Sequence, residues 1–340
     1  MPGSARTPRA PVKITDVAAA AGVAPMTVSR VINTPDRVSA ETAARVRAAI
    51  ERLGYVPNLI AGGLSSRRSR MVAAIVPTIA HPMFAGLVQT FTDAMRRAGY
   101  QVMLSLSGYS DDDAAADALL RALLGRRPDA LLITGASHSA AARQMLVEAH
   151  VPIVEIWDVS PMPIDMLVGF NHAQVGAEVA AFFQAKGHDR FITISADDAR
   201  ALERIEGFIQ AVQHAGGTML GNTVLPAPST IMEGRRALRD FLPQLTQRTA
   251  LFCSSDLLAF GAITEAKLHG IAVPEQLAVC GFGNFELSSA TEPPFTTVNV
   301  EGAEAGSLAA NFLLRRLAGE PAREEDRVHV SFRIVERGST

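Results

Sequence analysis

The chain has 340 residues, 48% of them hydrophobic, a net charge of −2 and two cysteines. That length is too great for one simple core and implies two or three domains, with ample apolar material to bury. No apolar run reaches the ~18 residues needed to cross a bilayer, which argues against a membrane partner. Residues 1–9 carry Arg and Pro with no apolar stretch behind them, unlike an export signal. Cys253 and Cys280 sit inside apolar runs, as buried inert thiols of a reducing compartment do. A cytoplasmic protein is the expectation.

The small net charge hides an asymmetry. Residues 1–70 hold 11 Lys and Arg against 4 Asp and Glu, and the remainder holds 21 against 30. A basic front on an acidic body fits a front that meets a polyanion.

In chain order, residues 1–11 read as a disordered tail and 12–55 as helical. Val17, Ala18 and Ala21 repeat at helical spacing. Gly22 suits the positive φ of a tight interhelical turn, and Pro25 suits a first helical position. Val28, Val31 and Ile32 give the second helix an inward face, leaving Thr27, Ser29, Arg30 and Asn33 on or near the outward one. That is the spacing of a helix-turn-helix, whose second helix enters the major groove. A third helix follows, with Ser39 as its N-cap and Ala43, Val46, Ala49, Ile50 and Leu53 inward. Residues 57–70 form a linker with Pro57, Gly62, Gly63 and a basic run.

From Met71 short apolar runs alternate with amphipathic stretches. Strands are expected at 72–76, 102–104, 130–133 and 153–156. Helices are expected at 84–98, 111–124 (capped by Asp111) and 139–149. The rhythm repeats from Leu167 to Gly281 and fades near Pro293-Pro294. A helix at 303–318 and a strand at 328–334 close the chain. Such alternation over ~270 residues means parallel α/β sheets in two similar lobes, with ligands beyond the carboxyl ends of the strands.

Asp16-Val17-Ala18, Ala21-Gly22-Val23, Thr27-Val28-Ser29-Arg30-Val31-Ile32-Asn33, Val38-Ser39 and Leu53-Gly54-Tyr55-Val56-Pro57-Asn58 resemble the LacI family of bacterial repressors. The resemblance runs over roughly residues 12–335. It implies a helix-turn-helix head at 12–56, a hinge helix at 57–70, and an α/β two-lobed periplasmic-binding-protein-like body at 71–340. The lobes would be about 71–168 plus 298–320, and about 169–295 plus 325–338. Crossovers would fall near 168–171, 294–298 and 318–327. Lys13 and Ala24 stand where the family usually has Ser or Thr caps, so Thr15 or Asp16 is expected to cap the first helix instead.

By the same resemblance, DNA contacts would come from Thr15, Pro25, Met26, Thr27, Ser29, Arg30, Asn33 and Tyr55. Asn58, Ala61 and Leu64 would add hinge contacts, with Leu64 wedged into the minor groove. The two glycines make a hinge helix costly, so its folding is expected to be coupled to operator binding. Effector contacts would come from Phe84, His138, Glu155, Trp157, Asp165, Asn171, Arg204 and Asp256, although Asp256 fits a helix N-cap equally well. Ser105-Leu106-Ser107-Gly108-Tyr109, residues 151–158 and residues 164–171 resemble the gluconate-repressor branch. The expected partners are palindromic double-stranded operator DNA, a second copy of the chain, and a sugar acid of gluconate type. A neutral sugar, a sugar phosphate or a purine is the alternative effector. An exported binding protein would lack the head. For an enzyme there is no Gly-x-Gly-x-x-Gly after a strand, no P-loop and no Gly-x-Ser-x-Gly, nor metal-like His/Cys spacing, so no catalysis, metal or cofactor is expected.

Overall fold

The computed structural model describes residues 12–56, 68–79, 82–109 and 112–340, without the side chains of Asn33 and Met83. The chain divides into two compact units, Met1–Arg70 and Met71–Thr340.

In the first unit, helices α1 (Ile14–Ala21), α2 (Pro25–Asn33) and α3 (Ala40–Leu53) close on Val17, Ala18, Ala21, Val28, Val31, Ala43, Val46 and Ala49, all buried. Gly22 ends α1 at φ 64°, and its N–H returns to the Ala18 carbonyl. Pro25 opens α2 after Ala24, which supplies no side-chain cap. At α1 the Asp16 carboxylate accepts the Lys13 backbone N–H at 2.8 Å, so Asp16, rather than Thr15, satisfies the helix start. Ser39 caps α3 by accepting the Thr42 N–H.

The second unit carries two six-stranded sheets. The first contains β1 (Met71–Val76), β2 (Gln101–Leu106), β3 (Ala130–Thr134), β4 (Ile153–Ile156), β5 (Met166–Gly169) and β11 (Arg327–His329). Their order is β11-β5-β4-β3-β1-β2, parallel throughout. The second contains β6 (Arg190–Asp197), β7 (Thr218–Pro226), β8 (Thr249–Cys253), β9 (Leu277–Phe282), β10 (Thr296–Val300) and β12 (Phe332–Val335), ordered β12-β10-β9-β8-β6-β7. Only β12 runs antiparallel to its neighbour. Near-continuous apolar strands such as β8 and β9 are buried along their whole length, as strands covered on both faces must be.

Helices α4 (Ala85–Arg97), α5 (Asp113–Leu124), α6 (Ala140–Glu148) and α12 (Gly302–Leu317) belong with the first sheet. Helices α7 (His172–Ala185), α8 (Ala199–His214), α9 (Ile231–Phe241), α10 (Asp256–Leu268) and the short α11 (Glu286–Ala290) belong with the second. The cap of α5 is Asp112, which accepts the Ala114 and Ala115 N–H groups; Asp111 lies outside the described residues.

Two lobe boundaries differ from expectation. Strand β10 pairs with β9 up to Val298 and runs on to Val300, so residues 298–300 stay in the second lobe and the chain crosses at Glu301. Strand β11 pairs with β5, so Arg327–His329 lie in the first lobe, and the last crossing falls between His329 and Phe332. Two strands of three and four residues separated by a two-residue step read as one strand in the sequence. Among the described residues no helix is long and apolar enough to cross a membrane.

Candidate nucleic-acid interface and effector cleft

On α2 the apolar stripe goes inward, so chemistry is left to the other face. Pro25, Met26 and Arg30 are exposed, Met26 by 63%. Thr27 and Ser29 are half-buried, and Thr15 on α1 is exposed. Tyr55 packs half-buried against the head core. Asn58, Ala61 and Leu64 lie outside the described residues.

In the body, a cleft opens between the lobes at the carboxyl ends of the strands, where loop backbone is free to meet ligand. Phe84 and Trp157 wall it on the first-lobe side, with Arg204, Arg200, Asp198 and Ser255 facing them from the second. Trp157 follows β4 with φ 80°, an unusual backbone for a bulky residue. Its amide donates to the Val168 carbonyl at 2.9 Å. The indole lies 5.5 Å from Phe84 and 5.5 Å, edge-on, from Phe170. Beyond Trp157 a larger cavity of about 520 Å³ is bounded by Gly86, Gly283, Gly302 and Ala303, within the usual range for small-ligand sites.

Arg204 stands on α8, only 3% exposed. Its Nη2 donates to the Ser254 carbonyl at 3.1 Å and its Nη1 lies 2.8 Å from Nδ1 of His172. Its Nε has no hydrogen-bond partner among the described residues. Burial lowers the Arg204 pKa to about 10, which leaves it charged at neutral pH. His172 in turn touches Asp158 and the Trp157 carbonyl through Nε2. Burial lowers its pKa to about 4, so the ring is neutral. Burial pushes the Asp158 carboxyl up, but the His172 hydrogen bond and the Arg200 charge outweigh that and hold it below its ordinary value. Burial, helped by the Asp198 charge, raises the Tyr109 phenol to about 12, so it faces the cleft as a hydrogen-bond donor.

Of the eight residues expected at the effector site, the cleft wall includes Phe84, Trp157 and Arg204. The others are placed elsewhere. His138 pairs with the fully buried Glu155 at 2.7 Å, and Glu155 also takes the Ile164 N–H. Those two polar groups satisfy each other inside the first lobe. Asp165 accepts the Ile153 N–H, at the amino end of β4, away from the cleft. Asn171 caps α7 through the Gln174 N–H. Asp256 is fully buried and receives the Phe285 N–H at 2.7 Å and the Thr297 hydroxyl at 2.5 Å. The cap of α10 is Ser255, not Asp256. Sequence reasoning missed Asp198, Arg200 and Ser255 as cleft residues. The available signal was position: each lies within three residues of the end of β6 or β8.

Residues 13–58 match the family profile described as bacterial regulatory proteins, lacI family. Residues 180–340 match the periplasmic binding protein-like domain. The chain is 33% identical over 329 residues to the HTH-type transcriptional regulator GntR of Pseudomonas aeruginosa, covering 96% of this chain and 95% of that one. A LacI-family transcriptional regulator from Silicibacter pomeroyi superposes with a TM-score of 0.91 at 32% identity, over 97% of this chain and 99% of the other. The lac repressor dimer bound to operator and the anti-inducer ONPF has the same fold, with a TM-score of 0.83 at 24% identity over 97% and 99%.

Proposed function

The chain belongs to the LacI family of DNA-binding transcriptional regulators, and from that membership we propose that it is a homodimeric repressor of a carbohydrate or sugar-acid operon, released or engaged by a sugar acid of gluconate type. The observation that carries the effector reading is Arg204. A guanidinium at the cleft wall, with its buried Nε unpartnered among the described residues, suits a carboxylate, which guanidinium recognises in a planar fork. Tyr109 and the Ser229 and Ser255 hydroxyls supply polar contacts for a polyol chain, and the rings of Phe84 and Trp157 supply apolar walls. The likeness of residues 105–109, 151–158 and 164–171 to the gluconate-repressor branch and the identity to GntR support the same choice. No turnover is assigned to the cleft.

On the DNA side, Arg30 would neutralise phosphate while Pro25 and Met26 make apolar contact with base edges such as a thymine methyl. The hinge residues Asn58, Ala61 and Leu64 would complete the operator contact. Dimerisation is supported by the sheet edges. The outer strands β2 and β7 expose Leu104 (37%), Leu106 (50%) and Val224 (43%), apolar positions that an isolated edge would need covered. The related lac repressor is a dimer on its operator.

Because Trp157 is the single tryptophan, its emission reports on the cleft alone. Titration with gluconate should shift that emission and change operator affinity together, as reciprocal linkage requires. A response to a neutral sugar, a sugar phosphate or a purine, with none to sugar acids, would refute the effector class and leave the family intact.

A further inference from the structure

Three residues form a hydrogen-bonded line that joins the first lobe to Arg204 of the cleft wall. Asp158 follows β4 in the first lobe, His172 opens α7 just past the first crossing, and Arg204 stands on α8 in the second lobe. The His172 Nδ1 lies 2.8 Å from Arg204 Nη1. Its Nε2 lies 3.0 Å from the Trp157 carbonyl and 3.2 Å from Asp158 Oδ1.

Donor and acceptor types settle the proton. A guanidinium only donates, and carbonyl and carboxylate oxygens only accept. His172 must therefore accept at Nδ1 and donate from Nε2–H; any other state sets two donors or two acceptors face to face. The charged groups that face the ring are Asp158 from the first lobe and Arg200 and Arg204 from α8. The rest of its surroundings is buried, with the Phe170 ring at 4.4 Å.

The backbone is built to hold this contact. A Cβ on Gly176 would lie 1.8 Å from the Arg204 carbonyl oxygen, and one on Gly207 would lie 2.1 Å from that of Ala173. Helices α7 and α8 thus touch main chain to main chain, which fixes the distance between His172 and Arg204. On the other side, Asp158 accepts the Ala136 N–H at 3.3 Å and stands 4.0 Å from Arg200.

We propose that His172 is the positioning residue for Arg204. Its neutral Nε2–H form holds the guanidinium toward the cleft and ties it to Asp158 of the other lobe, so that an anion taken by Arg204 is felt across the crossing. The link to ligand uptake rests on the sugar-acid reading above; the tautomer and the hold on Arg204 do not.

Two measurements on the full chain test it. With ¹⁵N-labelled histidine, the His172 ring should show a bare Nδ1 and a protonated Nε2 from pH about 8 down to about 5, well below where an ordinary imidazole charges. In Arg204→Met the titration should move up, because the facing cation is gone. A protonated Nδ1 at neutral pH overturns the proposal. The second measurement separates the two nitrogens. His172→Asn can place an amide oxygen near the Nδ1 position and keep the acceptor for Arg204; His172→Gln reaches toward Nε2 and keeps the donor to Asp158. By calorimetry, His172→Asn should bind gluconate within about threefold of wild type but lose much of the effect of gluconate on operator affinity. His172→Gln should bind gluconate about tenfold or more weakly, as losing a hydrogen bond to a charged group implies. Equal weakening in both variants would mean a merely structural role and overturn the proposal. If the wild type itself takes up no gluconate, the sugar-acid reading fails and the ring titration alone decides the placement of His172.

Discussion

Arg204 lies over the face of Phe282, its guanidinium carbon 3.9 Å from the ring centroid. Stacking occupies the flat of the group and leaves its edge, where the N–H groups are, for directed contacts. His172 and the Ser254 carbonyl take one N–H each from Nη1 and Nη2, and Nε has no partner among the described residues. A lysine would keep the charge and lose both the stack and the fork. Arg204→Lys should therefore weaken the gluconate response of Trp157 emission about tenfold or more, and Arg204→Ala should abolish it. An unchanged midpoint in Arg204→Lys would show that charge alone suffices.

The α7–α8 crossing makes a stability prediction. Gly176→Ala and Gly207→Ala each drive a methyl group into a backbone oxygen, with no flexible side chain to yield. Overpacking of this kind costs about 1–3 kcal/mol or more. Urea unfolding of the body should shift to lower midpoints in both variants, with the Arg204-dependent emission response falling too. The head, a separate compact unit with its own core, should unfold as in the wild type. Wild-type midpoints would mean that the helices slide apart at little cost.

Asp256 makes stability depend on pH. Burial raises its carboxyl to about 7, against the downward pull of Thr297, Phe285 and Arg337. An exposed aspartate in the unfolded chain keeps its ordinary value near 3.8. Between those values the folded state holds a proton that the unfolded state has released. The contribution is therefore full in acid and lost as pH rises from about 4 through about 7, at no more than about 1.4 kcal/mol per pH unit. Asp256→Asn retains an acceptor for the Phe285 N–H and cannot titrate. Its unfolding free energy should be flatter than wild type over that window. A parallel slope in the two proteins would assign the pH dependence to other groups.

What was legible in the sequence was whatever depends on neighbours along the chain. Gly22, Pro25, Val28 and Val31 declare the helix-turn-helix because turn closure and helical periodicity are local. Trp157 was legible as a strand-end residue, since it directly follows the short, mostly apolar run Ile153–Ile156. Glu155 and His138 were misplaced because they satisfy each other across 17 residues, a pairing that no local pattern shows. Asp165 was assigned to the cleft by the resemblance of residues 164–171 to the gluconate-repressor branch, but its carboxylate turns back to the start of β4. His172 was missed for the same reason as the exact place of the second and third crossings: its role comes from where three distant segments meet.

The head allows a test that needs no effector. Arg30 is exposed on α2, whose opposite face is locked by Val28 and Val31. Its loss should leave the fold intact, since exposed positions away from caps and cores usually change stability by no more than about 0.5 kcal/mol. If Arg30 neutralises a phosphate, Arg30→Ala should weaken operator and non-specific DNA to a similar degree. The slope of log affinity against log salt should also fall by about 1 per half-site. If Arg30 instead reads a guanine edge, the loss should fall on the operator alone, by about 1–3 kcal/mol, and relax specificity at one position. Fluorescence anisotropy with operator and scrambled duplexes over a salt series separates these outcomes. No loss on either duplex would remove Arg30 from the interface and shift the reading of α2 toward Pro25, Met26 and Thr27.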